Sequence, residues 1–216
     1  MCVRTWGSPS SPVVICWHGF ARTGTDFAVL ATALSDQFYV VCPDTPGRGL
    51  SAWLPSDAYH FSTYQSIALD LIQQFAKNRT VHWVGTSMGG VIGMMLAAHP
   101  TQRRFIDRLV LNDIGPEVPD EALDRIREYT SQAPRFADYP SARAYLEGIY
   151  APFGELSEPE WQTMQMHSWR RDSDGSLVPH YDPAILARFA EPQNKPLAWT
   201  LFSSIMSPIL VIRGTQ

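Results

Sequence analysis

One pentapeptide constrains the fold of this chain more than any other feature. The sequence G-T-S-M-G at residues 85–89 stands between an apolar run, residues 81–84, and a helix-compatible stretch at 88–98. A turn this tight from a strand to a helix leaves no room for side chains at its two glycines and forces the serine outward. The sequence therefore predicts a strand, a sharp turn and a helix, with the hydroxyl of Ser87 exposed above the end of the strand.

The same alternation of strand and helix patterns recurs along the N-terminal half of the chain. Short apolar runs alternate with stretches whose apolar residues recur at helical spacing, an order typical of a parallel sheet covered by helices on both faces. With 216 residues, of which 45% are hydrophobic, the chain can fill one core. We predict an α/β fold with a doubly wound, mostly parallel sheet, with strands at 13–17, 38–42, 81–84, 108–112 and 208–213 and helices at 26–34, 64–76 and 88–98.

A change of sequence character divides the chain into three predicted parts. Residues 1–115 form the core and residues 197–216 return to it, whereas residues 116–196 are rich in proline, show no strand pattern and contain helical pieces at 120–130 and 141–150. We expect residues 116–196 to form a helical lid over the carboxyl edge of the sheet. Its aromatic side chains either line an apolar substrate pocket or pack the lid onto the core; the candidates are Tyr145, Tyr150, Phe153, Trp161, Trp169 and Phe189.

Composition excludes several classes of partner. A formal net charge of -4, with 17 Lys and Arg against 21 Asp and Glu, offers no basic excess to neutralise nucleic-acid phosphates. No stretch approaches the ~20 apolar residues of a membrane span, and no signal-peptide pattern follows the first residues. We expect no nucleic-acid or membrane partner and a cytoplasmic location. Cys2, Cys16 and Cys42, without close pairing, favour reduced, buried thiols.

A second candidate element of a site follows the first clear strand. Residues 13–17 end in His18-Gly19-Phe20, where this architecture builds one of its two oxyanion donors. The backbone N–H groups of Phe20 and Met88 would together bind a developing negative oxygen, and the positive dipole end of the helix at Met88 would add to them. His18 itself is either a general base or, as we favour for an H-G turn after a strand, a residue that orders the loop.

The stretch after the second strand invites a different interpretation. Gly47, Gly49 and Ala52 satisfy a G-x-G-x-x-A dinucleotide-binding pattern. That function requires a helix N-terminus at the end of the pattern to hold a pyrophosphate, and Trp53-Leu54-Pro55 interrupts the chain at that point. We interpret the stretch as a structural loop.

Taken together and in order, these motifs resemble a known superfamily. H-G-F at 18–20, D-x-x-G-x-G-x-S at 44–51, G-T-S-M-G-G at 85–90 and L-V-L-N-D-I-G-P at 109–116 are similar to those of the α/β hydrolases, in particular lidded esterases and carbon–carbon bond hydrolases. The resemblance covers residues 13–116 closely and returns at 208–214, whereas the lid matches loosely. It implies the α/β-hydrolase fold, Ser87 as nucleophile and Phe20 and Met88 as oxyanion donors.

The acid and the histidine that would activate Ser87 are harder to assign. In such enzymes the order along the chain is serine, acid, histidine, and the acid usually follows the strand found here at 208–213. We therefore expect an acidic residue within about five positions beyond Gly214 and a histidine about 25 to 30 positions further on, after Gln216. Asp113 is an alternative acid, because some members place theirs after the corresponding strand; otherwise it is a loop-ordering carboxylate.

None of the internal histidines is a convincing base from its sequence context. His82 lies in a strand, His99 at a helix end and His60 in a loop before a helix. His167 and His180 belong to the predicted lid, from which they could approach the serine from above, although surface positions are the commoner fate of such residues.

The resulting prediction is a serine hydrolase that cleaves carboxylic esters through an acyl-enzyme at Ser87, with no metal or organic cofactor. The expected partner is a small-molecule ester or related acyl substrate, and the oligomeric state is left open. Two alternatives compete with this prediction. One is hydrolysis of a carbon–carbon bond in a dienoic ketone, and the other is a non-catalytic binding module that retains the fold.

Overall fold

Runs of β-branched and aromatic residues form the strands of this protein, as their preference for a pleated, buried surface predicts. A computed structural model describes residues 1–132, 134–151, 154–189 and 199–214. The strands in this part of the chain are β1 (Val3–Trp6), β2 (Val13–Trp17), β3 (Tyr39–Pro43), β4 (Val81–Thr86), β5 (Ile106–Asn112), β6 (Trp169–Arg171), β7 (Leu177–Pro179) and β8 (Ile209–Ile212).

Six of these strands form one sheet in the order β1-β3-β2-β4-β5-β8. All its neighbouring strands run parallel except β1, which pairs with β3 in the antiparallel direction. The predicted mostly parallel α/β sheet is therefore confirmed. Strand β1 was not predicted, because its four partly exposed residues are too few to show a periodic pattern.

Helices cover the sheet between successive strands. The helices in the described ranges are α1 (Ala28–Leu34), α2 (Phe61–Ala76), α3 (Met88–Ala98), α4 (Asp120–Ser131), α5 (Tyr139–Tyr150), α6 (Glu158–Ser168), α7 (Ala184–Phe189) and α8 (Trp199–Ser203). Of these, α1, α2 and α3 connect successive strands of the sheet from β2 to β5. The predicted bounds of α3 are confirmed. Helix α1 begins two residues later than predicted, because residues 24–27 form a single 3-10 turn instead. No helix in the described ranges is long and apolar enough to cross a lipid bilayer.

The segment between β5 and α8 contains more than the helices that the sequence indicated. Helices α4 to α7 are present, but β6 and β7 form an antiparallel hairpin, so the expectation of a purely helical lid without strands is wrong. Each strand has three residues, which is too short to reveal a period of two. The turn between them depends on Gly175, which has a φ of 84° and donates its N–H to the carbonyl oxygen of Asp172 at 2.9 Å.

The segment also has a small core of its own. Ala142 and Leu146 of α5 pack with Trp169 of β6 and Leu177 of β7. The main core lies instead between the sheet and helices α2 and α3, where the rings of Trp17 and Trp83 stack with centroids 5.5 Å apart.

Two of the three free cysteines lie side by side, which the sequence did not suggest. Cys16 on β2 and Cys42 on β3 are fully buried in a second cluster on the other face of the sheet. A hydrogen bond to Cys16, together with burial, raises the pKa of the Cys42 thiol.

Candidate active site

The strand–turn–helix around Ser87 provides the clearest site geometry. Strand β4 ends at Thr86 and helix α3 begins at Met88, so Ser87 alone makes the turn, with a φ of 48° and a ψ of -113°. Such a conformation costs a non-glycine residue about 1–3 kcal/mol and persists only where its surroundings impose it. Here the N–H of Ser87 donates to the carbonyl oxygen of Asn112 at 3.0 Å, so the end of β5 holds the turn. The serine is only partly buried.

Two glycines make this turn sterically feasible, as predicted. A Cβ atom added to Gly85 would lie 2.4 Å from backbone atoms of Gly89 and Gly90, and one added to Gly89 would lie 2.1 Å from the carbonyl oxygen of Trp17. Both distances are far below van der Waals contact. The carbonyl oxygen of Gly89 also accepts a hydrogen bond from the indole N–H of Trp83 at 2.9 Å, which ties the start of α3 to β4.

The loop after β2, residues 18–22, lies against this turn. A Cβ added to Gly19 would be in ordinary contact, 3.7 Å, with the Cβ of Ser87. The peptide bond from Gly19 to Phe20 is trans, so the Gly19 carbonyl and the Phe20 N–H point in opposite directions. The Gly19 carbonyl oxygen accepts a hydrogen bond from Nδ1 of His18 at 2.7 Å, which orients the peptide that carries the Phe20 N–H.

The second predicted donor is the first residue of helix α3. Met88 directly follows Ser87, and the N–H groups in the first turn of a helix have no acceptor within the helix. The structure therefore places the loop that carries Phe20 against Ser87, and Met88 directly after Ser87. That their N–H groups converge on one oxyanion stays a prediction.

His18 is fully buried, and both of its ring nitrogens are engaged. The backbone N–H of Thr45 donates to Nε2 at 2.9 Å, so the proton of the neutral ring lies on Nδ1, where it is donated to Gly19. Burial lowers the pKa of His18 to about 4. The ring is neutral near pH 7 and has no unoccupied nitrogen, so this geometry favours the loop-ordering interpretation over a general base.

The loop after β3, residues 44–51, is built around a buried carboxylate. Asp44 accepts hydrogen bonds from Arg4 and from the N–H groups of Gly24 and Leu50. Burial alone would raise the pKa of Asp44, but these donors together hold it below its ordinary value. Gly49 has a φ of 52°, and a Cβ there would lie 2.4 Å from Oδ2 of Asp44. No helix opens in this loop, since α2 begins at residue 61, which agrees with a structural loop.

Asp113 directly follows β5 and adopts a left-handed backbone conformation, with a φ of 53°. Its N–H donates to the carbonyl oxygen of Ile212 on β8 at 2.8 Å. The side chain is exposed, and within the described residues it has no hydrogen-bond or ion-pair partner. Asp113 thus stands one residue after Asn112, whose carbonyl holds the N–H of Ser87.

Among the described residues, no histidine hydrogen-bonds to Ser87 or Asp113. Nδ1 of His82 lies 3.2 Å from a carboxylate oxygen of Asp107. Burial lowers the pKa of both His167 and His180, which lie in the segment inserted between β5 and α8, called the inserted segment below. His60 precedes α2 and His99 follows α3, at positions that the sequence also indicated.

A small cavity, open to solvent, lies between the 18–22 loop and the inserted segment, and Ser87 is not among the residues that line it. Tyr145, Tyr150 and Trp169 line it, as three of the predicted aromatic candidates. Trp161 packs instead in the core of the segment, beneath the guanidinium of Arg143 at 5.7 Å. Phe153 and the side chain of Phe189 lie outside the described residues. The other lining residues are Ala21, Arg22, Pro134, Leu146, Ile149, Ser168, Pro179 and Tyr181.

Arg22 forms the polar edge of this cavity. Its guanidinium binds both carboxylate oxygens of Asp26 and donates to the hydroxyl of Ser168 at 2.8 Å. Sequence reasoning did not identify Arg22, because nothing in its local pattern distinguishes it from a surface arginine. The described residues contain no group of three or more His, Cys, Asp or Glu that could hold a metal ion.

The mostly parallel α/β sheet and the sharp turn at Ser87 are features of the α/β-hydrolase fold. Comparison with known proteins identifies the family. Residues 14–216 match the alpha/beta hydrolase family, and the chain belongs to it. It is 37% identical over 227 residues to a 3-hydroxybutyrate-oligomer hydrolase of Cupriavidus necator, covering 100% of this chain and 76% of that protein.

Two further proteins, one compared by sequence and one by structure, are also similar to this chain. A 2-(acetamidomethylene)succinate hydrolase of Mesorhizobium japonicum is 27% identical over 207 residues, which are 95% of this chain and 71% of that protein. The crystal structure of an alpha/beta hydrolase from Novosphingobium aromaticivorans superposes with a TM-score of 0.84 at 32% identity, covering 99% of this chain and 76% of that one.

Proposed function

We propose that this protein hydrolyses carboxylic esters through an acyl-enzyme formed at Ser87. The observation that carries this proposal is the conformation of Ser87, at a φ of 48° between a buried strand and a buried helix. Backbone strain of this kind clusters at functional sites, where it presents a side chain to a ligand. The turn can form only because residues 85 and 89 are glycines, since a Cβ atom at either position would collide with backbone atoms.

The reaction would proceed in two steps. The hydroxyl oxygen of Ser87 attacks the ester carbonyl carbon, and the carbonyl oxygen becomes an oxyanion that accepts hydrogen bonds from the N–H groups of Phe20 and Met88. Collapse of this intermediate breaks the bond between the acyl carbon and the alcohol oxygen. The alcohol leaves with the proton that the Ser87 hydroxyl lost, and the acyl group stays on Ser87 as the acyl-enzyme. Water then attacks the acyl group, releasing the carboxylic acid and restoring the serine hydroxyl.

We propose Asp113 as the acid of this machinery. It stands beside the carbonyl group that holds the N–H of Ser87, in a left-handed conformation and with an unpartnered, exposed carboxylate. A carboxylate in such a position can orient a histidine and stabilise its charged form. The histidine itself is expected later in the chain than Asp113, by the serine–acid–histidine order of these enzymes. A histidine beyond Gly214 stays a prediction, as does the alternative of an acid beyond Gly214.

The cavity beside the 18–22 loop would accept the acyl or alcohol group of the substrate. Its aromatic and aliphatic lining suits a short apolar chain, and Arg22, already paired with Asp26, offers N–H donors with little net charge. The 37% identical relative is named for 3-hydroxybutyrate oligomers. We therefore propose short esters of hydroxy acids as the substrate class, with 3-hydroxybutyrate dimer and trimer as the first compounds to assay.

Labelling with a fluorophosphonate, combined with a substrate panel, tests this proposal. The natural protein should be labelled stoichiometrically at Ser87 and should hydrolyse p-nitrophenyl acetate and the hydroxybutyrate oligomers. Ser87→Ala should abolish labelling and lower turnover by about 10⁴-fold or more, with the melting temperature little changed because the side chain is partly exposed. Labelling at another residue, or turnover by Ser87→Ala, would remove Ser87 from the mechanism.

The panel also separates the alternatives left open by the sequence. Cleavage of a dienoic ketone in preference to every ester would favour carbon–carbon bond hydrolysis at the same serine. Absence of labelling in a folded natural protein that still binds a panel compound would favour the non-catalytic binding module.

A further inference from the structure

The sequence motif at residues 44–51 contains an arginine that a structural loop does not require. Arg48 is fully buried, with a relative exposure of 0%. Its guanidinium lies over the rings of Phe20, Tyr59 and Tyr64 at 5.2, 5.9 and 5.2 Å. Burying a permanent charge at this depth is unfavourable unless hydrogen bonds and neighbouring groups compensate it.

The compensating contacts include both proposed oxyanion-donor residues. Nε of Arg48 donates to the carbonyl oxygen of Phe20 at 2.9 Å, and Nη2 lies 3.6 Å from the sulfur of Met88. Nη1 donates to the carbonyl oxygen of Pro46 and the hydroxyl of Tyr64 at 2.9 and 2.7 Å. Arg48 therefore contacts both proposed donor residues, Phe20 and Met88, and within the described residues no hydrogen bond joins it to Ser87.

The acceptors of Arg48 are all uncharged groups in the described part of the chain. A carboxylate would pair with the guanidinium more strongly, as Asp26 does with Arg22. Main-chain carbonyl groups and a tyrosine hydroxyl use the charge of Arg48 to hold neutral groups in place. A residue serving packing alone would need no charge here, since apolar residues of similar size fill buried sites at lower cost.

The backbone around Arg48 is in turn fastened to the inserted segment. The N–H of Gly49 donates to the carbonyl oxygen of His180, and the N–H of Asp182 donates to the carbonyl oxygen of Gly47, both at 2.8 Å. Residues 47 and 49 flank Arg48, so these bonds restrict where its side chain starts. The result is a continuous path of hydrogen bonds from the inserted segment through Arg48 to the loop after β2.

The peptide groups before and after Phe20 are both held by hydrogen bonds. His18 holds the carbonyl oxygen on the N-terminal side of Phe20, and Arg48 holds the carbonyl oxygen of Phe20 itself. With both flanking peptide planes restrained, the direction of the Phe20 N–H has little freedom. Met88 is restrained at its side chain by the same guanidinium.

We propose that Arg48 is a positioning residue that orients the Phe20 and Met88 N–H groups for oxyanion binding. This inference rests on the proposed ester hydrolysis. It predicts that loss of Arg48 lowers the rate of the chemical step more than it weakens substrate binding, because the oxyanion exists only in the transition state and the intermediate.

The test compares Arg48→Met, Arg48→Lys and Ser51→Ala in the full protein. Met retains an unbranched apolar stem, and Lys retains the charge but can make only some of the hydrogen bonds. Ser51 is the matched control: it is buried in the same loop, and its hydroxyl bonds to the N–H of Cys2 and the carbonyl oxygen of Asp44, away from Phe20 and Met88. Arg48→Lys also keeps the test decisive if Arg48→Met does not fold.

Three readouts separate positioning from stability. The active sites are counted by titration with the fluorophosphonate, and kcat is expressed per active site. This kcat should fall roughly 10- to 100-fold in Arg48→Met and less in Arg48→Lys, with KM little changed. Inhibition by a phenylboronic acid, whose tetrahedral serine adduct carries the oxyanion, should weaken by a similar factor. Amide hydrogen exchange should accelerate in residues 18–22. In Ser51→Ala only the melting temperature should fall.

Wild-type kcat per site in both Arg48 variants, or an equal loss of kcat in Ser51→Ala, would overturn the proposal. If the natural protein hydrolyses no ester of the panel, the proposed function fails. Amide hydrogen exchange then tests, without any activity, whether Arg48 holds residues 18–22 in place. Faster exchange of residues 18–22 in the Arg48 variants alone would support the positioning role; unchanged exchange would overturn it.

Discussion

Helices α3 and α5 are of almost equal length but are buried in different ways. Nine residues of α3 are buried, on all sides of the helix. Helix α5 buries Ala142, Leu146 and Tyr150, which recur every four residues and so form a single face. The first pattern is that of a helix enclosed by a sheet and by neighbouring helices. The second is that of a helix laid on a small cluster with its other side in water.

The glycines of the two helices differ in the same way, being enclosed in α3 and open in α5. In α3, an added Cβ would come within 2.1 to 2.5 Å of another atom at Gly89, Gly90 or Gly93, whereas at Gly148 in α5 nothing lies within 4 Å. In the elbow half of the molecule, which is the core of residues 1–115 that carries the turn at Ser87, the glycines of α3 are therefore packed so closely that none has room for a methyl group. The described part of the inserted segment is held by a small cluster of apolar side chains, among them Ala142, Leu146, Trp169 and Leu177.

After the loss expected for Ser87→Ala, the largest effect is expected at Asp113, where the chain leaves the core for the inserted segment. Asp113→Asn should lower kcat by about 10²- to 10⁴-fold, because the amide cannot stabilise a charged histidine. Stability should change little, since the side chain is exposed. Steady-state kinetics with p-nitrophenyl acetate measures the effect. Unchanged kcat would exclude Asp113 and leave the acid predicted beyond Gly214.

A pair of glycine substitutions tests the comparison of the helices directly. Gly89→Ala should destabilise the protein by about 3 kcal/mol or more, because the new Cβ would meet the carbonyl oxygen of Trp17. Gly148→Ala should stabilise it by about 0.5–1 kcal/mol, since alanine favours a helix and the site is open. Denaturant unfolding monitored by tryptophan fluorescence measures both. Equal changes in the free energy of unfolding for the two variants would contradict the contrast between the closely packed glycines of α3 and the open site in α5.

The buried network of the elbow half should make the protein sensitive to acid. Between about pH 6.5 and pH 4 the unfolded chain binds a proton at His18, but the folded protein, with its pKa of about 4, does not. The free energy of unfolding should therefore decrease as the pH falls through this window, by about 3 kcal/mol in total from this group.

Comparison with His18→Asn isolates that contribution, because the variant lacks the titrating ring while every other group remains. Its free energy of unfolding should fall less steeply between pH 6.5 and pH 4. If the variant does not fold, the ring proton chemical shifts of His18 in the natural protein serve instead. A ring that titrates near pH 6.5 would show that His18 is not the neutral, doubly engaged residue described above.

The smallest effect is expected in the inserted segment. Ile149→Phe should narrow the cavity and lower kcat/KM for p-nitrophenyl hexanoate by about tenfold, with little change for the acetate, because only the longer chain needs the space. Met166→Phe, at an exposed position of α6, is the control. An equal loss for both esters would indicate general damage, and no loss would place the acyl chain elsewhere.

Much of the elbow half could be predicted from sequence because its signals are local. The pentapeptide at 85–89 specified the turn, and the motif at 44–51 specified a loop whose glycines have positive φ angles. The inserted segment was predicted less well. The hairpin of β6 and β7 has no periodic signature, and which aromatic side chains line the cavity depends on how α5 and the hairpin pack together.

By itself the sequence determined the fold class, the exposed turn at Ser87 and the requirement for glycine around it, since each follows from residue order and steric limits within a few positions. Tertiary structure alone decided the rest. The proton of His18 lies on Nδ1 because Thr45, distant in sequence, donates to the other nitrogen. Arg48 meets Phe20 and Met88 because three separate strand ends gather at one edge of the sheet. Such contacts between distant residues depend on the sheet's strand order, which no local pattern encodes.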